Sequence, residues 1–221
     1  MSSHSEPQAG WLAPEVVQEL PGLALLQCAV EVKREDSLTG ASPPDVEQRM
    51  RELSNRFRGA RAIGIRREPI PAAYRVFFRH IGLDPDVVRT PIEAAVLERM
   101  VRGGFLSGGL LADVLLMALA DTAVPVWALD AEAVQGELGV RVSREAEALG
   151  RLPDAPELPA GRLVVADATA ALAVLFGELA PGHRAGARTR RLRIFTIQVE
   201  GVPTLYAEEA LWTARAALEL L

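Results

Sequence analysis

Residues 124–142 read VPVWALDAEAVQGELGVRV, and the character of the chain changes there. Val126 to Leu129 and Gly139 to Val142 are apolar runs too short for a helix, separated by turn-forming residues. They predict strands. The same pattern returns at Leu163 to Ala166 and at Leu192 to Glu200. An amphipathic helix follows, from about Tyr206 to Leu221, with Leu211, Ala214, Leu218 and Leu221 on one face.

Working back toward the N-terminus, helical spacing dominates. Leu110 to Ala120 is apolar almost all round, which predicts a core helix. Thr90-Pro91 opens a helix that runs to about Arg102. Thr90 is its N-cap, Glu93 sits three residues later, and Gly103-Gly104 stops it. Pro71 to Ile81 reads as a helix stopped by Gly82. Asp45 to Arg58 reads as another, with Met50, Leu53 and Phe57 at helical spacing. Arg34 to Pro44 is a loop. Leu23 to Lys33 predicts a mostly buried strand, and Gly10 to Leu20 a short helix with Pro14 near its first turn. Helices, then strands, then a closing helix make an α+β domain. Residues 1–9 read as a disordered tail and 10–221 as a single domain.

Composition narrows the function classes. A chain of 221 residues, 49% apolar, suits one globular core. A net charge of −5 excludes a histone-like polycation. A single cysteine, Cys28, excludes an intramolecular disulfide framework and a cysteine zinc site. His4, His80 and His183 are too scattered to predict a metal cluster, and no cofactor motif stands out. Gly103, Gly104, Gly108 and Gly109 lack the Lys-Ser/Thr of a phosphate loop. Ser107 misses the nucleophile-elbow spacing by one residue. The N-terminus lacks the apolar stretch of a signal peptide, and the longest apolar run is too short to span a bilayer. These features predict a soluble cytoplasmic protein with no metal and no membrane partner. Two arginine runs remain, one with Arg56 and Arg58, the other with Arg184, Arg188, Arg190 and Arg191. Each is either a solvated face or a phosphate-contacting rim. His183, in Pro-Gly-His-Arg, reads as an exposed loop residue with some chance of meeting a ligand.

One ordered set goes further. Ala112-Asp113 is followed twelve residues after the Asp by Pro125-Val126-Trp127-Ala128-Leu129-Asp130. Val140-Arg141 and Ala146-Glu147 come next, then Leu163 to Asp167, then Phe176-Gly177-Glu178. This order resembles the B3/B4 domain of the phenylalanyl-tRNA synthetase β subunit. Upstream, Tyr74-Arg75, Gly82, Asp84, Arg89, Pro91, Glu93-Ala94 and Arg99 resemble the freestanding B3/B4 proteins. The resemblance covers about Trp11 to Leu221. It implies an α+β fold with a layered, β-sandwich-like sheet core and packed helices. It also implies an RNA-binding module that takes the aminoacylated 3′ end of tRNA and hydrolyses mischarged aminoacyl-tRNA in trans. Nothing supports aminoacylation.

By the same resemblance, Glu178 and Gly177 belong to a substrate pocket with Trp127, Asp113, Leu116, Pro125 and Arg141. Trp127 stands where the family has a pocket histidine, and Leu116 where it has an asparagine. The implied pocket is therefore less polar. An alternative reading is a small apolar or amino-acid ligand-binding protein that kept the fold and lost tRNA. The residues themselves leave choices open. Asp113 is a pocket carboxylate or a fold-forming acceptor of N–H bonds. Arg141 pairs with Asp113 or Asp130, or meets a phosphate. Asp130 and Asp167 read as turn caps. Trp127 is core or a stacking wall.

Overall fold

The computed structural model describes residues 6–32 and 38–219. In chain order they form β1 (Gln8–Ala9), β2 (Trp11–Leu12), α1 (Pro14–Glu19), β3 (Ala24–Glu31) and α2 (Pro44–Arg56). Next come α3 (Gly59–Gly64), α4 (Pro69–His80), α5 (Pro91–Arg102) and α6 (Leu110–Thr122). The strands β4 (Val126–Asp130), β5 (Gly139–Val142), β6 (Leu163–Ala166), β7 (Ala171–Val174) and β8 (Arg191–Gln198) follow, and α7 (Thr204–Glu219) ends the series. The chain is α+β, as the order of patterns predicts.

The strands make two sheets. The first runs β1-β3-β8-β4 and is antiparallel throughout. The second runs β2-β5-β6-β7, with β2 parallel to β5 and the other pairs antiparallel. A side-chain period of two decides which residues share a face. Gln27, Phe195 and Trp127 lie in register across the first sheet. Val140, Val165 and Ala173 do so across the second. These faces oppose one another, because Trp127, Phe195, Val165 and Ala173 line one narrow gap. The buried Gln27 amide bridges the sheets. Its Nε2 donates to the Leu138 carbonyl at 3.3 Å, and its Oε1 accepts from the Leu138 N–H at 3.2 Å. A buried amide needs such partners, so this pair also fixes how the sheets sit.

Helices cover the rest. α7 buries Ala207, Ala210, Leu211, Ala214 and Leu218, lies over β3 and β8, and α6 packs beside it. The far face of the second sheet carries a smaller core of Leu149, Leu158, Val164, Ala171 and Ala180, which gives the Pro-rich segment 150–161 a packing role. α4 buries Tyr74, Phe77 and Phe78. The Tyr74 hydroxyl donates to the Ile197 carbonyl at 2.7 Å, and burial raises this phenol far above its usual range. Thr90 and Glu93 form the predicted capping box, and Gly103 ends α5 with a φ of 78°. Glu93 also accepts from Arg75 of α4 at 2.7 Å. Two adjacent helices are thus joined by a pair that is largely out of water.

The N-terminus corrects two expectations. Residues 8–9 are not tail, because they pair with β3. Trp11–Leu12 are strand rather than helix and pair with β5. The remainder of the expected tail, 1–5, lies outside the described residues, as do 33–37 of the expected strand and loop and the last two residues of the C-terminal helix. Two-residue strands have no periodicity to read. The tightness of the approach is visible at Gly139, where a Cβ would lie 2.0 Å from the Trp11 ring. Two short elements, α3 and β7, escape the pattern reading altogether.

Candidate functional site

Among the residues of the implied pocket, Trp127 lies against Phe176, next to Gly177 and Glu178, whereas Asp113 and Arg141 are bonded elsewhere in the fold. Trp127 lies between the sheets, stacked on Phe195 at 5.5 Å with 18° between planes, and edge-on to Phe176 at 5.5 Å. Phe176 also contacts Tyr74, Phe77 and Phe78. These rings fill the gap, which has no volume accessible to a water molecule. The turn after β7 explains how Phe176 gets there. Val174 N–H donates to the Glu178 carbonyl at 2.9 Å, and Phe176 adopts a φ of 58°. A bulky residue rarely tolerates that backbone. The aromatic contacts hold it, and Glu178, two residues on, is left exposed. Gly177 is held close, since a Cβ there would lie 2.9 Å from the Val174 Cβ.

Asp113 is 1% exposed near the start of α6. It accepts from the Ser42 hydroxyl at 2.6 Å, the Ser107 hydroxyl at 2.5 Å and the Gly108 N–H at 2.8 Å. Leu116, on the same helix, packs against the core. The Pro125 carbonyl accepts from the Thr196 hydroxyl at 2.7 Å. Arg141 pairs with neither Asp113 nor Asp130. Both of its terminal nitrogens bond Glu147, and Glu147 in turn accepts from the Arg144 N–H at 2.9 Å. This fork geometry ties β5 to the turn after it. Arg141 holds the Glu147 carboxyl below its ordinary range, against the opposing effect of burial.

Asp130 and Asp167 cap turns, as expected. Asp130 accepts from the Glu132 N–H at 3.0 Å and the Thr189 hydroxyl at 2.6 Å. Asp167 accepts from the N–H groups of Gln135, Thr169 and Ala170 and from Arg151. His183 is a correction: it is 3% exposed rather than a surface loop residue. Its Nε2 lies 2.6 Å from Arg151 Nη1. Arginine only donates, so Nε2 accepts and Nδ1–H faces the Pro181 carbonyl at 3.1 Å. Arg151 thus clamps Asp167 and His183 together.

Burial alone raises the Asp167 pKa, but the three backbone donors and Arg151 outweigh it and the net shift is downward. A depressed carboxyl adds stability above its unfolded pKa, which is about 4, and that stability is lost as pH falls through the folded value. We therefore expect the melting temperature to drop steeply below about pH 4. Asp167→Asn is expected to flatten that drop while lowering stability at neutral pH. An acid limb of equal slope in wild type and variant would rule Asp167 out as its source.

The two arginine runs differ. Arg56 and Arg49 both bond Asp121, Arg56 at 2.6 Å, so much of the first run is neutralised within the fold. Arg58 is exposed at the start of α3. In the second run, Arg184 donates to the Leu179 carbonyl, which places it beside the Glu178 turn, and Arg190 donates to the Thr189 carbonyl. Arg188 and Arg191 are exposed. No carboxylate neutralises this run among the described residues.

One cleft is lined by other residues. A cavity of about 510 Å³ lies between α1, the end of α4 and the second sheet. Val16, Leu20, Ile81, Leu83, Leu163 and Leu175 give it apolar walls. Glu15 and Glu19 line it from α1, His80 from α4 and Arg162 from the turn before β6. The carboxylates of Glu15 and Glu19, the His80 ring and the Arg162 guanidinium make no hydrogen bond or ion pair with the described residues. Like charges four apart on a helix repel, so the glutamates are placed at a small cost to α1. The one available signal in the sequence was this Glu-x-x-x-Glu without a nearby cation. Arg162 and His80 join it only through the fold.

Among the described residues no group of His, Cys, Asp and Glu could hold a metal ion. No helix among them is long and apolar enough to cross a membrane. Cys28 is buried, and burial pushes its thiol up to about 11, so it is not poised as a nucleophile. No known protein family matches the sequence, and no curated protein matches it.

Proposed function

We propose that the chain is a binding domain of B3/B4-like architecture for an amino acid or similar small zwitterion, held in the cleft between α1 and the second sheet. One observation carries this reading: charged groups of both signs, Glu15, Glu19 and Arg162, unpaired among the described residues, stand around apolar walls. Glu15 and Glu19 suit an ammonium group. The planar fork of Arg162 suits a carboxylate. The apolar walls suit a side chain, as in most small-ligand sites. The family's tyrosine editing is not part of the proposal, because Trp127 and its neighbours fill the space between the sheets and Glu178 faces solvent.

Calorimetric titration against the standard amino acids tests it. Arg162→Gln is expected to weaken the best binder by roughly tenfold to a hundredfold, the range for a hydrogen bond to a charged group. Failure of every amino acid to bind, or unchanged affinity in the variant, would sink the reading.

A second reading is favoured by Arg184, Arg188, Arg190 and Arg191, which no carboxylate among the described residues neutralises: the domain also binds the aminoacylated 3′ end of tRNA. Phosphate contacts predict affinity that falls steeply with salt. Salt-insensitive binding, or none, would remove it.

A further inference from the structure

Leu20 and His80 line this cleft and also a second cavity of about 330 Å³, so the two chambers are neighbours that share these two wall residues. The second chamber is walled by Leu23, Ala72, Ala73, Val76 and Phe77. Among the described residues, its ionisable lining groups are His80, shared with the first chamber, and Glu200. Val76 is 65% exposed on α4, an apolar side chain standing at the edge of an apolar hollow. Each chamber alone has the size of a whole small-molecule site, roughly 300–1,000 Å³. A short amino acid would leave most of this space empty.

We propose that the second chamber receives the apolar tail of a ligand whose charged head sits in the first. The ligand class is then a zwitterionic amphiphile, an α-amino acid with an apolar tail longer than that of leucine. The inference rests on the reading of the first chamber as the head-group site. His80 marks the waist between head and tail. No bond is made or broken.

The test is calorimetric titration of the full chain with straight-chain amino acids, from 2-aminobutyrate to 2-aminodecanoate. Affinity is expected to rise about fourfold for each methylene that passes the waist. Val76→Glu places a carboxylate on the chamber wall, at an exposed helix position that accepts glutamate. It is expected to abolish the rise for long tails and to leave short members at wild-type affinity. A flat series, or a rise that persists in the variant, would overturn the proposal. n-Octanol, which has no charged head, separates the two readings, with the Val76 and Ala73 methyl resonances as the readout. Shifts with octanol alone uphold the chamber and remove the head-group site. No shift with octanol or with any long-tailed member removes the chamber.

Discussion

Asp113→Ala is expected to lower folding stability by about 3–4 kcal/mol, since it strips several buried donors of one acceptor. The carboxylate ties two hydroxyls and one N–H from two different loops to the start of α6. The same loop 38–42 already receives two amides of that helix, Leu110 N–H to the Gly40 carbonyl at 3.0 Å and Leu111 N–H to the Leu38 carbonyl at 2.9 Å. Removing Asp113 leaves Ser42 7% exposed and without its acceptor. Asp113→Asn keeps the shape and one acceptor oxygen, and the hydroxyls can rotate to meet its amide. Its cost is expected to be about 1–2 kcal/mol. Urea unfolding of both variants checks this. A loss under about 1 kcal/mol in Asp113→Ala, coupled to lost ligand binding, would make Asp113 a binding group instead.

Asp113, Asp130, Arg141 with Glu147, and Asp167 carry much of the resemblance to the synthetase domain. Each is engaged in the fold: one holds loops to a helix, two cap turns, and one pair closes a turn after β5. Residues engaged in this way speak for architecture and say little about a reaction. The long helices were readable because α4 and α5 carry helical spacing and stop at Gly82 and Gly103, and α6 is apolar almost all round. β5 and β6 were readable because each is a short valine-rich run between turn residues, interrupted in β5 by Arg141. The pairing of Trp11 with Gly139 was not, because it joins residues far apart in the chain and β2, with two residues, has no pattern of its own. His183 was misread for the same reason: Pro-Gly-His-Arg looks like a surface turn, and its contact with Arg151, from the Pro-rich segment, joins residues far apart in the chain. The cleft was illegible as a unit. Glu15, His80 and Arg162 come from three distant segments, and only packing of α1 and α4 on the second sheet assembles them.

Trp127→Ala is expected to cost about 3 kcal/mol, at the low end for a tryptophan truncation because the ring is only partly buried. The ring lies flat on Phe195 and edge-on to Phe176, so the truncation removes two aromatic contacts and opens a void between the sheets. Phe176 makes the loss larger than area alone suggests. Its φ of 58° is held by contacts that include Trp127, and a strained backbone persists only while its surroundings enforce it. Trp127→Phe keeps a flat ring in the same place and is expected to cost less than about 1.5 kcal/mol. Chemical unfolding measures both, and titration of the best-binding amino acid runs beside it. Trp127 lines neither of the two chambers, so binding is expected to stay at wild-type affinity in Trp127→Phe. The opposite pattern, stability retained and binding lost, would return the ligand site to the space between the sheets. That outcome would restore the pocket that the family resemblance implies and displace the cleft beside α1.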